Sequence, residues 1–125
     1  MDSALDSLTA ALRRFAQERD WEQFHSPKNL AAALTVEAAE LLEHFQWLTE
    51  EQSRNLSADK RAVVAHEMAD VLLYLLQMAD KLQVDLPAAA RDKLALNALK
   101  YPVEQARGIS AKYSELPGRR GDEQK

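Results

Sequence analysis

No glycine occurs in the first 107 residues of this 125-residue chain; the three glycines stand at 108, 118 and 121. Left-handed turns, hairpin loops and phosphate-cradling loops all draw on glycine, because only a residue without Cβ enters positive φ freely and lets the backbone close on a ligand. A body built without it contains neither a GxGxxG fingerprint nor a Walker-type loop. If the chain handles phosphate, it does so with side chains or metal ions. The absence of cysteine removes disulfides, thiolate metal sites and cysteine nucleophiles as well.

Periodicity divides the chain into four helices and a tail. Leu5, Leu8, Leu12 and Phe15 recur at steps of three and four, which predicts a helix over 3–18. Ser26-Pro27 reads as an N-cap followed by proline at the first helical position. The second helix then runs to about Trp47, with Leu30, Leu34, Leu41, Phe45 and Leu48 on one face, and the polar segment 49–55 ends the pattern. Ser57 caps a third helix over 58–83. Asp85 caps a fourth, which stops near Tyr101 because Pro102 pushes its predecessor out of helical geometry. No segment alternates as a strand would. The expected fold is therefore all-α, a single domain over residues 1–117 with a disordered tail over 118–125.

Net charge is -4, and no basic cluster marks the body, so a nucleic-acid polymer is not an expected partner. The N-terminal residues lack a basic leader and an apolar run, and no membrane span is expected. These features suit a cytoplasmic protein. The third helix is apolar nearly all round, with Val63, Val71 and Met78 on one side and Ala65, Ala69, Leu72 and Leu76 on the other. Three further helices hardly cover such a surface, so a second copy of the chain is expected against it.

The acidic residues carry the chemistry. Glu37 occupies the middle of the second helix's apolar stripe, one turn from Leu34 and Leu41, and Glu40 follows at the rim of the same face. A lone ionised carboxylate there costs several kcal/mol, so it is expected to be paired, protonated or metal-bound. Glu67 and Asp70 repeat the spacing on the third helix. If the two helices pack antiparallel, four carboxylates converge on one pocket. Hard oxygen ligands select Mg²⁺, Mn²⁺ or Ca²⁺, and Mg²⁺ prefers a few carboxylates completed by water and substrate phosphates. Ordinary surface acids, or partners of Arg and Lys, are the other reading that spacing alone leaves open.

Glu37-Ala-Ala-Glu40, a gap of 26 residues, then Glu67-Met-Ala-Asp70 resembles the ExxE and ExxD signature of the MazG-like all-α nucleoside triphosphate pyrophosphohydrolases. The segments Arg19 to His25, Phe45-Gln46-Trp47, Asp70 to Tyr74, Val84 to Pro87 and Lys112 to Pro117 are similar, in the same order, to the dCTP pyrophosphatase branch of that family. The resemblance spans about residues 12–117. It implies a four-helix bundle assembled as a tetramer, and hydrolysis of a deoxynucleoside triphosphate, with dCTP or 5-modified dCTP favoured, to dNMP and pyrophosphate. By the same resemblance Glu37, Glu40, Glu67 and Asp70 hold Mg²⁺, with Mn²⁺ as a substitute, and Trp21, His25 and Trp47 surround base and sugar. Tyr74, Lys93 and Asn97 are implied substrate contacts, with Lys112 and Tyr113 behind them. Leu12 departs from the pattern, standing where mammalian members carry a histidine three residues before Phe15.

Read from the residues alone, both tryptophans also suit a core, Tyr74 a core tyrosine, and Lys93 and Lys100 a solvated face. Indole stacking is sequence-tolerant, so base selection must come from hydrogen bonds to the base edge, for which His25 is a candidate. His44 and His66 adjoin the acids without the Glu-x-x-His spacing of di-iron bundles and are expected to be supporting or structural. Three function classes follow: a Mg²⁺-dependent nucleotide-pool hydrolase, a di-metal carboxylate bundle with redox chemistry, and a non-catalytic helical adaptor.

Overall fold

The computed structural model describes residues 3–110 and 112–116. Among them there are six α-helices and two 3-10 turns, and no strand. The expected tail over 118–125 lies outside the described residues. The chain divides into two compact units, one ending at Leu86 and the other beginning at Pro87.

The first unit contains α1 (Ser3–Glu18), a 3-10 turn (Glu22–Phe24), α2 (Pro27–Glu43), α3 (Glu50–Arg54) and α4 (Ala58–Leu82). α2 starts as the sequence predicts, with the Ser26 hydroxyl accepting from the Asn29 amide at 3.1 Å and Pro27 at the first helical position. α4 starts in the same way, the Ser57 hydroxyl accepting from the Lys60 amide at 3.2 Å.

α2 stops four residues short of the expected Trp47. The amides of His44 and Phe45 bond back three residues, to Leu41 at 3.3 Å and Leu42 at 2.9 Å, which tightens the last turn and closes the helix. The polar segment 49–55, read only as the end of the second helix's pattern, contains a short helix of its own. Thr49 accepts from the Gln52 amide at 3.1 Å while the Gln52 side chain accepts from the Thr49 amide at 2.9 Å, a reciprocal capping box that starts α3.

Left-handed backbone appears here without glycine. Asp20 has φ 55° two residues beyond the end of α1, and Gln83 φ 57° one residue beyond the end of α4. Both ends close as Schellman motifs: Trp21 N donates to Ala16 O at 2.9 Å and Asp20 N to Gln17 O at 3.2 Å, while Val84 N donates to Ala79 O at 2.8 Å and Gln83 N to Asp80 O at 3.3 Å. A non-glycine residue in this region costs about 1–2 kcal/mol. Side-chain hydrogen bonds offset it: Gln83 Nε2 donates to the Asp80 carbonyl at 2.7 Å, and Gln23 Nε2 to the Asp20 carbonyl at 2.9 Å. The first of these turns folds the chain back over α1 and places Trp21 beside Phe15.

α4 packs along α2 and, less extensively, along α1. Its Val64, Leu76 and Ala79 are buried with Ala16 of α1 and Leu30 of α2. Arg13 and Asp80 join α1 to α4 as a bidentate ion pair, with Arg13 Nε donating to Asp80 Oδ2 at 2.8 Å. Much of the apolar surface of α4 stays open: Val63, Met68, Leu72, Leu75 and Leu82 are all exposed. With 25 residues and a mean hydropathy of 1.3 over its most apolar window, α4 is long and apolar enough to cross a membrane.

The second unit carries α5 (Leu86–Lys100), α6 (Val103–Ala106) and a 3-10 turn (Tyr113–Glu115). α5 ends ahead of Pro102 as expected. Gly108 has φ 75° and no heavy atom within 4 Å of where a Cβ would stand, so its backbone and not its space requires glycine.

Candidate active site

α2 and α4 bring the acidic motifs together. Glu37, Glu67 and Asp70 each offer a carboxylate oxygen within 4.8 Å of the others. Glu37 and Glu67 are half-buried and Asp70 is exposed, so the cluster has an enclosed floor and an open side. Glu37 Oε2 and Glu67 Oε2 are buried and have no hydrogen-bond partner among the described residues. Burial, a hydrogen bond with Glu40, and the negative charges of Glu40, Asp70 and Glu67 raise the Glu37 carboxyl above the usual glutamate range. Three carboxylates this close, two with orphaned oxygens, make a donor set that fits a hard divalent cation.

One basic group backs the cluster. Lys60 Nζ lies 2.8 Å from His44 Nδ1, and because an ammonium only donates, Nδ1 is the acceptor and neutral His44 carries its proton on Nε2. That nitrogen stands 3.8 Å from Glu67 Oε1, a polar approach too long for a hydrogen bond. The His44 and Lys60 pairing escapes sequence reading because α3 lies between the two positions. His66 is exposed and is not one of the clustered residues.

Next to the acids lies a cavity of about 400 Å³ lined by Leu8, Leu12, Phe15, Trp21, Leu73 and Ala11, with Asp70, Tyr74, Gln77 and His25 as its polar members. Asp70 belongs to both the cluster and the lining. From α4 the lining comprises Asp70, Leu73, Tyr74 and Gln77, one face of the helix over two turns. From α1 it comprises Leu8, Ala11, Leu12, Phe15 and Ala16. Phe15 and Trp21 meet edge to face, centroids 5.7 Å apart at 67°. The Arg19 guanidinium stands 3.6 Å over Phe15, and its Nη1 donates to the Phe15 carbonyl at 3.1 Å.

Trp21, His25, Tyr74 and Asp70 thus share one cavity. Trp47 does not line it: with α2 ending at Glu43, the indole leaves the line of Glu37 and Glu40 and is 86% exposed. Lys93 and Asn97 stand on α5 in the second unit, Lys93 exposed and Asn97 half-buried, and Lys112 is exposed on the same unit. Sequence reading missed Gln77. The signal was its spacing, seven residues from Asp70 and three from Tyr74, which puts it on their helix face.

The MazG-like family model matches residues 32–116. Human dCTP pyrophosphatase 1 is 43% identical over 118 residues, covering 93% of this chain and 69% of the relative. The bovine protein of the same name is 42% identical over the same span. Among solved structures, a pyrophosphatase from Archaeoglobus fulgidus superposes with a TM-score of 0.65 at 35% identity, covering 82% of this chain and 95% of that one. The length of these matches, over a helical body that holds the paired acids, shows that the chain belongs to the MazG-like family and is an enzyme of its nucleoside triphosphate pyrophosphohydrolase kind.

Proposed function

We propose that this enzyme hydrolyses dCTP, or a 5-modified dCTP, to the monophosphate and pyrophosphate, with Mg²⁺ held by Glu37, Glu40, Glu67 and Asp70. The observation that carries the reading is the double membership of Asp70, whose carboxylate borders both the acidic cluster and the aromatic cavity. A nucleotide with its phosphates at the acids then has its sugar beside Tyr74 and its base between the walls of α1 and α4. The relatives' name supplies the cytosine assignment.

Mg²⁺ bound there neutralises phosphate charge and lowers the pKa of a coordinated water. The protein's own residues position the reacting groups. The half-buried Glu37 and Glu67 hold the floor of the site, while the exposed Asp70 reaches toward the substrate side. In the reaction, water oxygen bonds to the α-phosphorus, the bond to the α,β-bridging oxygen breaks, and that oxygen leaves with pyrophosphate. A carboxylate of the cluster takes the water proton. Trp21 and Phe15 present aromatic surface to the base, and indole stacking contributes about 1–3 kcal/mol. Lys93 and Asn97 are assigned to the triphosphate, supplying the positive and hydrogen-bonding contacts that a glycine loop supplies elsewhere.

The open apolar surface of α4 fits assembly with further copies of the chain, as a tetramer. Assaying wild type and Asp70→Asn against a panel of deoxynucleoside triphosphates with MgCl₂ tests the reading. Turnover in wild type and its loss in the variant are expected; an active variant, or an inert wild type, overturns it.

A further inference from the structure

Gln77 stands at the wall between two spaces. Besides the aromatic cavity it lines a small recess of about 20 Å³, and Leu12, Ala16 and His25 are common to both linings. The recess is itself lined by charged groups, the bidentate Arg13 and Asp80 pair and Lys81 at 3.9 Å from Glu22. The Asp80 carboxylate is committed to the guanidinium on both oxygens. The Gln77 side chain, half-buried, forms no hydrogen bond among the described residues. Its amide atoms are not among the buried unpartnered ones and are open to water, so a ligand that fills the cavity displaces that water and has to offer a donor and an acceptor in exchange.

Position selects what that ligand part is. Gln77 lies seven residues beyond Asp70, two turns or about 10 Å along α4, with Tyr74 between them. A nucleotide anchored by its phosphates at Asp70 carries its sugar past Tyr74 and presents the hydrogen-bonding edge of its base at Gln77. The aromatic walls hold any base by its face and do not discriminate. Leu8, Leu12 and Leu73 offer no polar atom from their side chains. Gln77 and His25 are therefore the polar side chains at the far end of the cavity.

We infer that Gln77 is a base-selecting residue: its carboxamide pairs, donor to acceptor and acceptor to donor, with the Watson–Crick edge of the substrate base, as an amine beside a ring nitrogen presents in cytosine. This rests on the nucleotide reading above. A site that hydrogen-bonds its substrate rejects analogues far more strongly than an apolar slot does, because a mismatched base covers the amide without pairing it.

Two variants test it, Gln77→Leu, which removes both polar groups, and Gln77→Glu, which keeps the shape and removes the donors. For each, kcat/KM is measured across the four deoxynucleoside triphosphates, and dissociation constants are measured for their α,β-imido analogues, with unchanged circular dichroism as the folding control. The expected result is a loss of at least tenfold in affinity for the preferred base in Gln77→Leu, with the spread among the four bases compressed, and a reordered ranking in Gln77→Glu. Folded variants that keep the wild-type ranking and affinities overturn the inference. Ranked binding of the analogues without hydrolysis in wild type overturns the proposed reaction and leaves the role of Gln77 standing. Wild type that binds none of the analogues overturns both.

Discussion

Glu37 of α2 and Glu67 of α4 face each other across the helix pair, each with its Oε2 buried and without a hydrogen-bond partner among the described residues. Such an arrangement costs several kcal/mol unless a cation or a proton fills it. The metal assignment makes this cost the source of affinity, since a cation that binds only the folded state adds its binding free energy to stability. MgCl₂ at 100 times its dissociation constant is expected to add about 2.7 kcal/mol, read as a rise in Tm. Glu37→Gln is expected to abolish that rise while leaving the metal-free protein at least as stable as wild type. Its kcat/KM falls by more than the roughly 10- to 100-fold that removing a supporting residue costs a metal site.

Glu37 also sets a pH dependence. Its folded carboxyl titrates above the usual range, chiefly because of burial. A raised folded value means that stability from this group is fully present below the unfolded glutamate value and is lost as pH rises through the folded one. Metal-free protein should lose stability over that window, and Glu37→Gln should not. Asp80 acts with the opposite sign: its hydrogen bonds from Arg13 hold it below the usual aspartate range. Its contribution is present above the unfolded value and is lost as pH falls through the folded one. Denaturation midpoints across acid pH, with Asp80→Asn as control, separate the two.

The two tryptophans are predicted to differ. Trp21 lines the cavity against Phe15, whereas Trp47 is 86% exposed. Trp21→Ala is expected to raise KM about 10- to 100-fold, the equivalent of one lost stacking contact. Trp47→Ala in a single isolated chain would change little; a comparable KM effect from Trp47 indicates that assembly brings its indole to a neighbouring site. Steady-state kinetics of both variants decide this.

Assembly itself is testable on α4. Met68, Leu72 and Leu75 share a face of α4 and are exposed, and a contiguous exposed apolar patch marks an interaction surface. Sedimentation equilibrium is expected to give an oligomer. Met68→Glu, which places a charge on that face, is expected to shift it toward smaller species and make Tm dependent on protein concentration.

Much of this architecture is legible in the residues. Caps at Ser26 and Ser57 and the three-four spacing of leucines locate the starts of α2 and α4, because those signals are local and act through single hydrogen bonds. The meeting of Glu37 with Glu67 is also foreseeable, since a carboxylate on an apolar stripe needs a cation or a proton and a second pair, ExxD, supplies further ligands for one. The end of α2 is not: nothing between Leu42 and Trp47 breaks helical propensity, and closure depends on the turn that the chain takes into Thr49. α3 was not foreseen: the Thr49 and Gln52 spacing is its one local trace, and a five-residue helix leaves no periodicity to read. The cavity was hidden most completely. Its walls come from α1 and α4, joined through Arg13 and Asp80 across 67 positions, and Gln77 acquires its place only when that pairing forms. The missing glycines misled in one respect, since Asp20 and Gln83 reach positive φ without one.

The central claim is that the acidic cluster directs water onto the α-phosphorus of a deoxynucleoside triphosphate. The direct measurement is product analysis after turnover of dCTP with MgCl₂ in ¹⁸O-labelled water, by mass spectrometry of the separated products. The account predicts dCMP and pyrophosphate in equal amounts, with the label in dCMP. Release of dCDP and phosphate, or label in the pyrophosphate, would contradict it.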